Sequence, residues 1–300
     1  MSTPTAGSAS PAHAGGTVRT VVVTGASGGI GAAAARALAA AGHHVVVVGR
    51  DPARTAAVAR ETGGPFHLAD FGVLDDVRRL ADELAAYDRI DVLANNAGGI
   101  FGDPTPTVDG FERTFQVNHL APYLLTTRLL DVLVASRASV IQTSSVGARL
   151  FGHLRLDEVA TDTTATAHQA YGTAKLANIL MTVELHRRFH GAGLSAAAFH
   201  PGIVATGFAA SSPSVMRGFY TGLARWLMTS PERGARTLVR LATTTPGVNW
   251  RSGDYLERGR PARRLNPQAR DAALASALWT RSAELVGEPD RDASSVTPRA

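Results

Sequence analysis

Residues 24–31 read Thr24-Gly25-Ala26-Ser27-Gly28-Gly29-Ile30-Gly31. The apolar run Val21-Val22-Val23 precedes them, and an alanine-rich stretch, 32–41, follows. That is strand, glycine turn, helix. Glycines let the backbone turn tightly and approach a phosphate closely, and a helix start offers unpaired N–H groups and a positive dipole end. Gly42 ends the helix, and a second apolar run, 45–48, comes at the distance a β-α-β unit needs. The stretch therefore predicts a dinucleotide site in a Rossmann-type α/β fold.

The alternation continues along the chain. Strands are expected at 17–24, 43–49, 65–68, 90–94, 138–142 and 194–200, with a short last one near 252–256. Helices are expected at 27–41, from Asp51-Pro52 to 61, at 74–87, in segments over 108–134 broken near Pro122, at 167–189, 212–228, 231–242 and 270–285. Seven strands in a mostly parallel, doubly wound sheet, helix-covered on both faces, form one domain over 17–287. Residues 1–16, made of Ser, Thr, Ala, Gly and Pro, and residues 288–300 read as loose tails.

Bulk numbers narrow the function classes. The chain has 300 residues, 45% hydrophobic and 18% charged, which reads as globular. It has no cysteine, so disulfides, thiolate zinc sites and iron–sulfur clusters are excluded and a cytoplasmic setting fits. No signal peptide or transmembrane run is legible, and no membrane partner is expected. The formal charge is +5, but the arginines are scattered, with one modest cluster at 258–264. A solvated face explains them better than nucleic acid does.

One lysine stands among many arginines: Lys175, four residues after Tyr171. Arginine supplies positive charge everywhere else, so this site needs a compact ammonium on a flexible stem. A Tyr-x-x-x-Lys pair on a helix shares one face. Ser144 and Ser145 follow the fifth strand, and ligands of open α/β sheets bind beyond the strands' carboxyl ends. Reducing a carbonyl needs a hydride and a proton. A tyrosine of pKa about 10 becomes a useful acid/base when an ammonium favours its phenolate. A serine hydroxyl can steady the developing oxyanion.

The spacing Thr-Gly-x-x-x-Gly-Ile-Gly, Asn95-Asn96-Ala97-Gly98 after the fourth strand, Ser144-Ser145, Tyr171-x-x-x-Lys175 and His200-Pro201-Gly202 resemble the short-chain dehydrogenase/reductase family. Asp109-Gly110-Phe111-Glu112, Val117-Asn118-His119-Leu120, the run Lys175–Leu180 and the ending Asn266-Pro267-Gln268 onward resemble its retinol-dehydrogenase-like branch. The resemblance implies Asn118, Ser145, Tyr171 and Lys175 as the catalytic set. It implies a cofactor held by Gly25, Ser27, Gly28, Gly29, Ile30, Gly31, Arg50, Asp70, Asn96, Ala97, Gly98, Tyr171, Lys175, Pro201, Gly202, Val204 and Thr206.

In the family an acid at the position of Gly49 reads the ribose of NAD(H); Gly49 followed by Arg50 looks like preference for NADP(H). Asp51 is the complication, either ribose acid or helix cap. Asp70 either takes the adenine amino group or caps the next helix. His119 reads as packing or surface rather than catalysis. The long interval from Ser145 to Tyr171 departs from the wider family, so 149–168 is expected to form a loop over the site. Phe151, Leu154, Phe208, Phe219 and Tyr220 line an apolar pocket or pack the core.

The expected activity is hydride exchange between NADP(H), with NAD(H) as alternative, and a small apolar aldehyde, ketone or alcohol. A cofactor-binding regulator and a tailoring ketoreductase are the rivals. The family's frequent homodimers and homotetramers suggest one here, and the stripe Leu176, Ile179, Leu180 and Val183 fits either a subunit contact or the core.

Overall fold

A computed structural model describes residues 17–102, 105–162, 164–202 and 229–297. The first strand, β1 (Thr20–Val23), feeds α1 (Gly29–Ala40) through the glycine turn. Then come β2 (His44–Gly49), α2 (Pro52–Thr62), β3 (Phe66–Leu68), α3 (Leu74–Ala85) and β4 (Val92–Asn95). The second half holds α4 (Arg113–Phe115), a π-turn (Gln116–Leu120), α5 (Ala121–Arg128), α6 (Leu130–Ala135), β5 (Ser139–Thr143) and α7 (Gly147–Leu150). It closes with α8 (Ala167–Phe189), β6 (Ser195–His200), α9 (Pro231–Thr243), β7 (Tyr255–Glu257), β8 (Arg260–Pro261) and α10 (Ala272–Val286).

The sheet order is β3-β2-β1-β4-β5-β6-β7-β8, parallel except for β8. Eight strands replace the expected seven. The eighth is two residues long and ends on Pro261, too short to show a period of two. The strand order reverses between β1 and β4, and the crevice at this switch point opens at the carboxyl ends. Successive strand residues serve opposite faces: Val21 and Val23 pack with Leu38, Val58 and Leu238, and Val22 with Leu80, Leu124 and Leu180.

The helix break expected near Pro122 is present just before it, while other local expectations change. Pro122 has no N–H for the carbonyl of Asn118 four residues back, and the chain there widens into the π-turn. Residues 288–297 are not a loose tail: Glu288 pairs with Arg128, Asp290 with Arg188 and Arg291 with Asp131. Leu176, Ile179 and Leu180 are buried within the chain itself, so this stripe builds the core rather than offering a subunit contact. The expected helix over 212–228, with Phe208, Phe219 and Tyr220, lies outside the described residues. Among the described residues no helix is long and apolar enough to cross a membrane.

Candidate active site

A cleft of about 490 Å³ runs across the carboxyl ends of the strands. Gly25, Ser27, Gly28, Gly29, Ile30, Arg50 and Asp70 line one end; Ser145, Tyr171, Lys175, Pro201 and Gly202 line the other; Asn96, Ala97 and Gly98 lie along it as well.

The glycine loop is packed too closely for side chains. A Cβ at Gly25 (φ +65°) would come within 2.7 Å of Ala97 Cα, and one at Gly31 within 2.7 Å of Asn96 Nδ2 and closer still to Gly25 O. The loop is tied to the turn after β4. Asn96 N and Ala97 N each donate to Thr24 Oγ1 at 3.0 Å, and Asn96 Nδ2 donates to Thr24 O at 3.0 Å. The Asn-Asn-Ala-Gly stretch thus braces the loop where it leaves the central strands.

At the far side of the loop, Asp51 caps α2: its Oδ1 accepts from Arg54 N at 2.9 Å, and Pro52 follows in the first turn. That leaves Arg50 exposed at the cleft. A second cation joins it. The Arg54 guanidinium lies against Gly28, where it would meet any added Cβ. The sequence reading missed Arg54, which looks like an ordinary exposed residue of α2; its place three residues past the Asp51 cap, in the first turn, was the available signal. Gly49 admits no side chain, since Thr55 Oγ1 and Ser27 Cβ close over it.

Asp70 does not cap α3. Its Oδ1 accepts from Gly72 N at 2.9 Å, while the cap of α3 is Asp109, whose Oδ2 accepts from Leu74 N at 3.0 Å and from Gln116 Nε2 at 2.7 Å. Glu112 caps α4 through Thr114 N and Phe115 N. The Asp-Gly-Phe-Glu run is therefore a pair of helix caps.

At the chemical end the two serines divide. Ser144 is buried, and its hydroxyl donates to Lys175 O at 2.8 Å. Ser145 lines the cleft, its Oγ accepting from Gly147 N at 3.1 Å. Lys175 crosses from α8 to β5, where Nζ donates to Thr143 O at 2.9 Å and sits 5.5 Å from the centre of the Tyr171 ring. Burial pushes its ammonium down to about 7. Asn118 is fully buried and stands behind the cleft rather than in its lining. Its Oδ1 accepts from Gly99 N at 3.2 Å, and its Nδ2 donates to Gly99 O and Thr114 O, each at 2.8 Å. The amide thus pins the segment after Gly98 against the π-turn.

Over the site, among the described residues of the long interval, its ends reach the cleft: Leu150 and Phe151 at one end, His168 at the other. The middle packs away, with Leu154 and Ala160 in the core and Leu154 bonded to Gln268. Phe151 stacks at 5.5 Å on His168, another lining residue the sequence did not single out. Pro201 and Gly202 reach the cleft; Val204 and Thr206 lie outside the described residues.

The short chain dehydrogenase family model matches residues 19–216. The chain belongs to the short-chain dehydrogenase/reductase family. It is 41% identical over 299 residues to a Streptomyces sp. (strain C5) protein provisionally named a daunorubicin C-13 ketoreductase, covering 97% of this chain and all of that one. It is 36% identical to human retinol dehydrogenase 13, covering 94% and 88%. The crystal structure of an uncharacterized protein from Mycobacterium paratuberculosis superposes with a TM-score of 0.73 at 33% identity, covering 91% and 95%. This short-chain dehydrogenase is thus an NAD(P)-dependent oxidoreductase of the retinol-dehydrogenase-like kind.

Proposed function

We propose that the chain interconverts an apolar aldehyde or ketone and its alcohol, using NADP(H). The observation that carries this reading is the continuity of one cleft. A glycine cradle flanked by two arginines opens directly onto Ser145, Tyr171 and Lys175.

The cradle fits a dinucleotide because its glycines leave backbone where side chains would otherwise stand, beside the start of α1. Arg50 and Arg54 favour a 2′-phosphate over a bare ribose. Position 49 has no room for a ribose-reading acid, and the Asp51 carboxylate is engaged as a cap. The Asp70 carboxylate faces the cleft to take an adenine amino group. Pro201 and Gly202 hold the carboxamide. When bound, the reduced nicotinamide supplies the hydride.

Tyr171 gives its phenolic proton to the substrate oxygen during reduction and takes it back during oxidation. The Lys175 ammonium favours the phenolate and holds the cofactor ribose. Ser145 donates its hydroxyl to the oxygen as charge develops there. Asn118 keeps the Gly98–Gly99 wall in place beside Lys175.

Leu150 and Phe151 at the cleft mouth, 55% and 45% exposed, suit an apolar substrate. The second reading, a tailoring ketoreductase, draws support from the 41% identical relative named for a ketone of daunorubicin. Titrating NADPH and NADH by nicotinamide fluorescence tests the cofactor reading: tighter NADPH supports it, and tighter NADH returns the ribose to Asp51.

A further inference from the structure

Among the buried titratable side chains that these assignments leave without a task, one lies close to the lysine. His119 is fully buried, and its ring is engaged on both edges. Nδ1 lies 3.4 Å from Asn178 Oδ1, and Nε2 lies 2.9 Å from Ser282 Oγ. An amide oxygen only accepts, so Nδ1 carries the proton, Nε2 accepts, and Ser282 donates. The other end of the Asn178 amide, Nδ2, donates to Thr143 O at 3.3 Å. That same carbonyl takes the Lys175 ammonium at 2.9 Å. A line of buried bonds therefore runs from Ser282 on α10, through His119 on the π-turn and Asn178 on α8, to the acceptor of Lys175 on β5.

We propose that His119 is a positioning residue for Lys175, acting through Asn178. An asparagine amide is nearly symmetric in shape, and its neighbours decide which way round it sits. The Thr143 carbonyl only accepts, so the amide sits with its nitrogen toward Thr143 O and its oxygen toward the imidazole, and the His119 N–H supports that orientation. The lysine then shares its carbonyl with a second donor and keeps its remaining N–H groups for the cleft. Turned round, the amide would set oxygen against oxygen at Thr143 and force His119 into its other tautomer, with Ser282 accepting in place of donating. It would also bring a new acceptor beside the ammonium. Burial holds the His119 imidazole down at about 4, so it stays uncharged through the neutral range. Among the described residues, Tyr171, whose ring lies 5.5 Å away, and His119 are titratable groups set against Lys175. The arrangement joins three stretches that otherwise look unrelated: Val-Asn-His-Leu, Lys-Leu-Ala-Asn and the C-terminal helix.

The inference rests on the reading of Lys175 as the ammonium that serves Tyr171, but its test does not depend on turnover. Lys175 is the single lysine of the chain, so full-length protein grown with lysine carrying carbon-13 at Cε gives one side-chain resonance. Its chemical shift against pH reads the Lys175 midpoint directly, with no substrate. In His119→Phe the amide is released toward the ammonium, and the midpoint rises by about half a unit or more. Ser282→Ala keeps the ring, loosens its far partner and moves the midpoint the same way by less. Circular dichroism checks that each variant is folded; if His119→Phe is not, Ser282→Ala decides. A midpoint that stays put or falls in the folded variants overturns the proposal and leaves His119 as core packing. Failure of the enzymatic reading shows separately, as turnover that survives Tyr171→Phe.

Discussion

Lys175 Nζ donates to the main-chain carbonyl of Thr143 at 2.9 Å, so the lone lysine of the chain is anchored by backbone rather than by a carboxylate. A carboxylate would hold the charge more firmly but would also cancel it. A carbonyl leaves the ammonium's field available to Tyr171. The arrangement is costly, because burial favours the neutral amine.

Lys175→Met should therefore separate function from stability. Turnover falls by about two orders of magnitude or more, while the melting temperature of the apo protein rises. The sign follows from the depressed midpoint. Between about 7 and the unfolded value, the unfolded chain binds more protons, so wild-type stability grows as pH rises through that range. The gain from Met is then largest at pH 6 and shrinks toward pH 10. Thermal melts at several pH values check it; a gain that does not shrink contradicts the account of the lysine.

Arg50→Ala and Arg54→Ala should each weaken NADPH binding about tenfold and NADH binding much less, since each removes one charge-assisted bond to a phosphate. Fluorescence titration with both cofactors checks this. Equal losses for the two would place the arginines away from the 2′ position.

Gly31→Ala should damage the loop rather than the chemistry. Its new Cβ meets Gly25 O and comes within 2.7 Å of Asn96 Nδ2, both parts of the packed core of the site. Overpacking of this kind costs about 1–3 kcal/mol. Denaturant melts should show that loss together with weakened NADPH binding.

Acid should unfold the protein through its buried imidazoles. Burial holds His119 and His200 at about 4, so both must stay neutral in the folded chain. Below the unfolded value the unfolded chain binds more protons, and stability falls as pH drops from about 6.5 to 4. His119→Gln should flatten that slope by on the order of 2 kcal/mol. Urea melts across pH 4 to 7 measure it.

Much of this was legible because it is local. The glycine turn, the Asp51-Pro52 cap and the full span of α8 follow from short patterns, and the structure has them. Tyr171 and Lys175 shared a face by spacing alone. What stayed hidden depends on partners far along the chain. Asp109 caps a helix that begins 35 residues earlier, and Arg54 gains meaning only by lying on Gly28. His119 read as packing or surface, and neither its burial nor its bond to Ser282, 163 residues away, was legible. The ordered stretch 288–297 was missed for the same reason, since its polar residues find ion-pair partners on α5, α6 and α8.

The most direct test of the central claim is turnover by Tyr171→Phe beside wild type. Each is loaded with NADPH and offered a panel of apolar aldehydes and ketones, including all-trans-retinal and aromatic ketones, and loss of nicotinamide fluorescence is followed. The account predicts carbonyl-dependent loss in wild type and a rate lower by about two orders of magnitude or more in the variant, with NADPH still bound. Equal rates in the two proteins, or tight NADPH binding with no turnover of any carbonyl by wild type, would contradict it.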